Sequence, residues 1–225
     1  MARRLLGILA VLLVAGCGQA AEDPGKVVQD AATAMAAVKT VQADVAFGPG
    51  AKVLGFELVS ATGKVKRPTD SDTVGKVRAA GALIQPELVT FGGKSYLRQA
   101  QFLPFQELTA VEAADYPNAG RLLDTTHGVT AVLPKGTNKT LAGSEAVDGH
   151  DCTRVNATFA PADLNDALAP IKLTDAVKAT LWIDKSSHLV RRVRFTGHLF
   201  DPATNSFADV RLHDFNAAVD ITSPV

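Results

Sequence analysis

The chain has 225 residues, with 23 basic and 23 acidic side chains and a formal net charge of zero. A balance this close to neutral gives no basic field for binding nucleic acid, because such binding depends on neutralising phosphates. Apolar residues make up 47% of the chain, which also has 18 glycines and 2 cysteines. This composition excludes collagen-like, disordered and disulfide-scaffold proteins, and the length predicts one domain of ordinary size.

The N-terminal segment has the three parts of a bacterial lipoprotein signal. Two arginines precede an apolar run at residues 5–14, and two small residues stand directly before Cys17. The apolar run is too short for a membrane span, which needs about 20 residues. The run Val14-Ala15-Gly16-Cys17 resembles a lipobox, in which the cysteine is lipidated.

These features divide the chain into three predicted parts. We expect a signal peptide at residues 1–16, a lipidated Cys17 with a tether at 17–25, and one domain at 26–225. Two or three acyl chains on Cys17 would hold the protein on the outer face of the cell membrane. The alternative is an ordinary secretory signal followed by an incidental cysteine.

A helix is predicted first in the domain, and strands follow it. Four apolar residues recur at helical spacing: Val27, Ala31, Ala34 and Val38. From about Val41 the apolar period changes to two, which indicates β-strands. Leu54, Phe56 and Leu58 alternate in this way, and the glycine-lysine pair at 63–64 is expected to interrupt the strand before Val65.

The most informative hairpin joins residues 87–91 to 94–98. Two glycines lie between these runs, and they suit a two-residue primed turn, which needs positive φ angles. The resulting register pairs Glu87 with Arg98 and Val89 with Tyr96. Charge pairs and aromatic–aliphatic pairs of this kind stabilise antiparallel strands.

The middle of the chain is predicted to alternate short helices with strands. One or two helices are expected within residues 109–134, one of them capped near Asn118 and carrying Leu122 and Leu123. Strands are expected at Thr140–Ser144 and Asp151–Phe159, followed by a short helix at Ala162–Leu168.

The last third is predicted to extend an antiparallel sheet. A strand containing Leu181 and Ile183 should pair with the strand that carries Val193 and Phe195. If Asp201–Ser206 forms the next loop, the expected pairs include Phe200 with Phe207, Phe195 with Leu212 and Arg194 with His213. This register sorts apolar from polar side chains on both strands.

A wide apolar sheet face with few helices to cover it has two interpretations. Its residues either close into a packed core, or they leave a dry space that accepts an apolar guest. Alternation does not decide which face of the sheet Leu88 and Leu97 occupy. The candidate lining residues, chosen by alternation, are Leu54, Phe56, Leu58, Val65, Val77, Leu88, Leu97, Leu181, Ile183, Val193 and Phe195.

The order of these features resembles the LppX/LprA/LprF/LprG family of actinobacterial lipoproteins. The matching segments are the lipobox, the hairpin at 88–96, the run at 141–149, the segments 179–184 and 189–193, and the ending at 215–224. The resemblance implies the LolA/LolB-like fold, an α+β fold in which a single large antiparallel sheet curves into a half-barrel with a few helices on its concave face. It also implies that the strand bordering the cavity carries Val77. The flanking Lys76 and Arg78 either meet anionic headgroups or are solvated surface charges.

The resemblance implies a function in lipid binding without bond chemistry. Family members bind or carry acylated glycolipids, lipoglycans or wax esters of the envelope, and some work beside a major-facilitator exporter. We therefore expect a monomeric carrier whose partners are a lipid or acylated glycolipid, the membrane through Cys17, and a candidate exporter of that type. The alternative is a lipid-anchored structural or sensory domain with a filled core that acts through protein contacts.

No arrangement in the sequence predicts catalysis, a metal or a cofactor. The five histidines are scattered, and the sequence has no HExxH, CxxC or G-x-S-x-G motif. Cys152 lacks a histidine base in a known nucleophile motif, so it is either a small strand residue or a reactive thiol. We expect no catalytic residue, no metal and no cofactor.

Overall fold

The computed structural model describes residues 22–225, so Cys17, the signal peptide and most of the tether lie outside the described residues. The helices are α1 (Pro24–Ala36), α2 (Ala110–Ala113), α3 (Val129–Val132) and α4 (Pro161–Leu168), with 3₁₀ turns at Ala119–Leu123 and Leu133–Lys135. The strands are β1 (Thr40–Phe47), β2 (Lys52–Val53), β3 (Phe56–Lys66), β4 (Asp70–Ala79), β5 (Ala82–Ile84), β6 (Glu87–Phe91), β7 (Lys94–Arg98), β8 (Gln106–Leu108), β9 (Thr137–Val147), β10 (His150–Phe159), β11 (Val177–Asp184), β12 (Val190–Asp201) and β13 (Thr204–His213).

The strands form one open antiparallel sheet. Its order is β8-β7-β6-β4-β3-β1-β13-β12-β11-β10-β9, with β2 paired to β3 and β5 paired to β4. The two edges are different strands, so the sheet is not closed, and it curves into a half-barrel with the helices on its concave side. The predicted fold class is confirmed.

Helix α1 begins within the segment that was expected to be tether. Asp23 caps it by accepting a hydrogen bond from the Gly25 amide at 2.9 Å, and Pro24 occupies the first turn, where its missing N–H costs nothing. The helix buries one face, made of Val27, Val28, Ala31, Ala32 and Met35, against the core. It ends at Ala36, so Val38 is a core residue beyond the helix rather than part of it.

The strand order gives the sheet an upper end and a lower end. The upper end is where β4, β7 and β12 finish, and the lower end holds the β3–β4, β6–β7, β9–β10 and β11–β12 turns. Helix α1 reaches the lower end at both of its termini. Glu22 lies 3.4 Å from the Thr153 hydroxyl near the start of β10, and the Arg67 guanidinium, in the β3–β4 turn, donates to the Ala36 carbonyl at 3.2 Å.

Several local predictions are confirmed. The β6–β7 hairpin pairs Glu87 with Arg98 and Val89 with Tyr96, and the Arg98 guanidinium donates to the Glu87 carboxylate. The Asn118 side chain caps the turn that carries Leu122 and Leu123 by accepting from the Gly120 amide at 2.9 Å. Helix α4 lies within one residue of its expected start.

Two strand predictions are wrong. Strand β3 continues through Gly63 to Lys66, because the flanking strands supply partners on both sides, and its irregularity lies instead between Leu58 and Ser60. In the last hairpin Phe195 pairs with Ala208 rather than with Leu212.

The physical reason for the second error is the turn at the top of this hairpin. Asp201 pairs with Thr204, which leaves a two-residue turn, and the register shifts again between Gly197 and Asp201. The observed pairing near Phe195 differs from the predicted one by four positions, an even number, so every side chain keeps its predicted face. Alternation therefore fixed the faces but not the partners, and Arg194 pairs with Asp209 rather than with His213.

The C-terminal segment returns across the convex side of the sheet. The Asn216 side chain accepts a hydrogen bond from the Lys39 amide at 2.8 Å, and the Thr40 hydroxyl donates to the Ala217 carbonyl at 2.6 Å. Ile221 then packs against Val89 and Tyr96 in a small cluster separate from the main core. The segment thus connects the start of β1 to the β6–β7 hairpin.

Candidate functional site

The register places ten of the eleven candidate lining positions on the concave face. Val65 pairs through β3 and β4 with Ser71, and Leu88 and Leu97 pair on the same face further along the sheet. This settles the face that alternation left open for Leu88 and Leu97. Leu54 is the exception, because it lies in the β2–β3 turn with a φ of 52°.

Half of these concave positions belong to the main core. Val65, Leu181, Ile183 and Val193 are buried there, and Phe195 packs against the same cluster. The core fills the space between α1, α3, α4 and the strands from β3 through β1 to β10. Contact of these residues with an acyl chain stays a prediction.

The other candidate residues lie towards the β8 edge or the upper end of the sheet. Val77 and Leu97 are buried, and Leu58 and Leu88 are half-buried. Leu54 and Phe56 are 51% and 38% exposed. The core in this half of the sheet is therefore less complete than beneath α1.

A half-open pocket lies at the upper end of the sheet. It has a volume of about 260 Å³ and lies between β2, β12, the loop after α4 and the segment after α2. Six of its nine lining residues are apolar and three are charged, and polar and apolar atoms contribute about equally to its surface. The lining residues are Lys52, Val53, Leu54, Asp115, Pro170, Ile171, Lys172, Leu199 and Phe200.

Leu54 is the one pocket residue that the candidate set contains. The others come from four separate chain segments, and no motif relates those segments in the sequence. Leu199 and Phe200 are consecutive, yet both line the pocket, near the irregularity between Gly197 and Asp201. A strictly alternating strand would turn one of them away, so alternation could not find the pair.

Exposed apolar side chains gather at the same end as the pocket. Phe102 is 86% exposed, Leu83 is 53% exposed, and Leu103 is 40% exposed. Leu83 lies in β5, and Phe102 and Leu103 lie in the β7–β8 loop. In that loop, the Gln101 side chain donates a hydrogen bond of 3.1 Å to the Gln85 side chain. With Leu54 and Phe56 they give the upper end an apolar rim.

The two charged residues that flank Val77, Lys76 and Arg78, do not line the pocket. Arg78 lies 3.5 Å from the Glu57 carboxylate across the β3–β4 ladder. Lys76 is exposed and lies on the convex side, because side chains alternate along β4 and Val77 lies on the concave side. Val77 itself pairs with Leu58 and Ile84 on the concave face.

A charged cluster at the lower end holds the β11–β12 turn together. Asp184 is 2% exposed and accepts hydrogen bonds from Ser186 and from the Arg191 guanidinium at 3.0 Å. Burial alone would raise the pKa of the Asp184 carboxyl, but these hydrogen bonds outweigh it and hold the pKa well below the usual range. The cluster is structural, since its donors fix the turn.

Cys152 is fully buried beside this turn, and its thiol faces the His150 carbonyl oxygen at 3.5 Å. Burial and then the Asp184 carboxylate raise the pKa of the Cys152 thiol. A raised pKa keeps the sulfur protonated and unreactive. The geometry therefore favours the small strand residue over the reactive thiol.

The described part of the chain, residues 22–225, contains no group of three or more His, Cys, Asp or Glu side chains placed to bind a metal. His127, His150, His198 and His213 each lie within 3.2 Å of an aspartate oxygen. None of these four lines the upper pocket. None of the helices described there is both long and apolar enough to cross a membrane.

Comparison with known proteins identifies a family, and the similar solved structures include two mycobacterial lipoproteins. The model of the LppX_LprAFG lipoprotein family matches residues 23–221. The crystal structure of LprF from Mycobacterium bovis aligns with a TM-score of 0.72 and 19% identity, covering 89% of this chain and 96% of that one. Lipoprotein LppX from Mycobacterium tuberculosis aligns with a TM-score of 0.63 and 19% identity, covering 88% and 98%. No curated protein sequence matches the chain.

Proposed function

We propose, since the chain belongs to the LppX_LprAFG lipoprotein family, that it is a lipid carrier of the cell envelope. It binds the acyl chains of a lipid or glycolipid between the sheet and the helices and carries that lipid without bond chemistry. Cys17, as the lipidated residue, holds it on the outer face of the cell membrane. A monomeric state and a major-facilitator exporter as partner belong to the same proposal.

The observation that carries this proposal is the pocket at the upper end. Its apolar wall includes Leu199, which is buried in the main core, and Ile171 and Phe200, which pack against that core. An acyl chain that enters here would therefore contact the edge of the main core. Each methylene removed from water contributes about 0.8 kcal/mol, so chain length alone supplies strong binding.

The volume of the pocket sets a condition on binding. At about 260 Å³ it is slightly smaller than ordinary small-molecule pockets, which hold roughly 300–1,000 Å³. To bind a complete diacyl lipid, the helices that cover the concave face must therefore move away from the sheet. The short helical pieces between Ala110 and Lys135 are the candidates for this movement, because helices of four residues gain little stability of their own.

The apolar rim gives the carrier a surface for exchange with a bilayer. Phe102 and Leu83 are exposed at the same end of the sheet as the pocket, so contact of this end with lipid would bring the pocket to the acyl chains. Burial of such side chains in the bilayer is favourable by about 1.5–3 kcal/mol each.

The test is native mass spectrometry of the full chain purified from an actinobacterial host, before and after organic extraction. We expect a mass increment that extraction removes and that a Val53→Trp variant, whose larger side chain fills the pocket, loses. A Cys17→Ala variant tests the anchor separately, because it should leave the membrane fraction while it keeps the bound lipid in its domain.

A second function has one observation in its favour. The core between α1 and the sheet is closely filled by buried side chains, among them Val28, Met35, Phe159 and Leu181. A lipid-anchored structural or sensory domain would need such a core and no guest. A bare polypeptide mass, together with no uptake of a fluorescent fatty acid, would refute the carrier and favour that alternative.

A further inference from the structure

The pocket at the upper end combines an apolar wall with two lysines at its rim. Lys52 and Lys172 are exposed and belong to segments 120 positions apart in the chain. Among the ion pairs within residues 22–225, neither lysine has a carboxylate partner within 4.0 Å. Both ammonium groups are therefore available to an anion in the pocket.

The nearest carboxylate by register does not neutralise Lys52. Glu57 is the cross-strand partner of Lys52 in the β2–β3 hairpin, but its carboxylate lies 3.5 Å from the Arg78 guanidinium. Asp115 also lines the pocket and is exposed. The three charged side chains together give the pocket a net charge of +1.

The backbone on which Lys172 stands is fixed. The Leu173 amide donates to the Asn165 side chain at 2.8 Å, and the Leu173 side chain is 4% exposed in the core. The Ile171 amide donates to the Leu168 carbonyl at 2.9 Å. Lys172 thus lies between two packed residues, which limits the entropy that its backbone would lose on binding.

Lys52 stands on a similarly fixed segment. The Leu58 amide donates to the Ala51 carbonyl at 2.8 Å, and Ala51 is fully buried. Val53, the next residue after Lys52, lines the pocket wall. The chain therefore presents a cation and an apolar side chain side by side at the entrance.

We propose that Lys52 and Lys172 form a binding site for the phosphodiester headgroup of a diacyl lipid. This inference rests on the proposed function, because the acyl chains must occupy the apolar wall for the headgroup to reach the lysines. Lysine binds phosphate as a point charge. A phosphodiester carries one negative charge, which the net charge of +1 would neutralise.

The experiment compares two lipids that differ only in the headgroup. The full chain is stripped of lipid and reloaded from an equimolar mixture of phosphatidylglycerol and diacylglycerol with identical acyl chains, and native mass spectrometry counts each complex. We expect a preference for phosphatidylglycerol of about tenfold or more, because hydrogen bonds to charged groups have effects of that size. The Lys52→Gln, Lys172→Gln double variant should lose this preference and keep the same total loading.

Two further variants make the comparison specific. Lys76→Gln removes an exposed lysine on the convex side and should leave the preference unchanged. Asp115→Asn removes the opposing charge and should increase it. A preference that the double variant retains would overturn the inference, whereas failure of both lipids to load would refute the proposed function instead.

A final arm separates a lipid headgroup from a free anion. Inorganic phosphate and glycerophosphoglycerol, which lacks acyl chains, are added during loading. We expect neither to compete at millimolar concentration, because the acyl chains provide most of the binding energy. Saturable binding of inorganic phosphate alone that depends on the two lysines would show an anion site and overturn the headgroup assignment.

Discussion

Filling the pocket should weaken lipid binding in proportion to the methylenes that it displaces. Val53 lines the pocket, is half-buried and lies on the two-residue strand β2, so Val53→Trp can fill the space with little cost to the core. Each displaced methylene costs about 0.8 kcal/mol, so displacing four would weaken binding by about 3 kcal/mol, or roughly 200-fold in Kd. Titration with a fluorescent fatty acid measures this change directly.

The matched control places the same side chain outside the upper pocket, which Leu141 does not line. Leu141 is 40% exposed on the edge strand β9, and Leu141→Trp should leave the Kd for the fatty acid unchanged. The free energies of unfolding of both variants should stay within about 1 kcal/mol of the wild type, as expected for changes outside the core. Equal affinity of Val53→Trp and wild type would show that acyl chains do not enter between β2 and β12.

Three further predictions concern the rim, the lower end and the C-terminal segment. Phe102→Ser should slow transfer of a fluorescent lipid out of donor vesicles about tenfold or more, because it removes an exposed apolar side chain from the rim that is proposed to contact the membrane, whereas Leu141→Ser should not. Asp184→Asn should lower the free energy of unfolding by about 3 kcal/mol at pH 7 in urea titrations. Because the folded-state pKa of Asp184 is depressed, its stabilisation is present above the unfolded-state value and is lost as the pH falls, so this difference should shrink below about pH 4, and a constant difference would contradict the assignment. Ile221→Ala should cost about 2 kcal/mol or more and increase hydrogen exchange in β6 and β7, and unchanged exchange there would argue against the packing of the C-terminal segment on Tyr96.

The antiparallel strands were accessible from the sequence because most of their signals are local or alternate regularly, whereas the half-barrel shape was expected from the family resemblance. The Gly92-Gly93 turn set the β6–β7 register, and Asn118 marked the start of its helical turn. Alternation assigned the faces of Val65, Leu181 and Val193 correctly. Each of these decisions depends on a few neighbouring residues, so no tertiary information was needed.

The pocket was not accessible in the same way. Its wall depends on the turn at Leu54, where a positive φ interrupts alternation, and on the irregularity before Asp201. It also depends on the loop after α4, whose position is set by Asn165 through its bonds to Leu173. These contacts join residues that are distant in sequence, and no periodicity predicts them.

The position of the pocket relative to the tether constrains how a lipid can be exchanged. Glu22 lies beside Thr153, six residues before Phe159 at the upper end, which is about 20 Å along a strand. Five residues from Cys17 to Glu22 span at most about 17 Å. If Cys17 is lipidated as proposed, an upright half-barrel holds its pocket away from its own bilayer. The pocket can meet that bilayer only when the half-barrel lies on its side, whereas a partner that stands above the membrane can reach it directly. Under the proposed function, the exposed Phe102 and Leu83 would be available to either surface, and the tilt of an anchored protein would decide which of the two supplies the lipid.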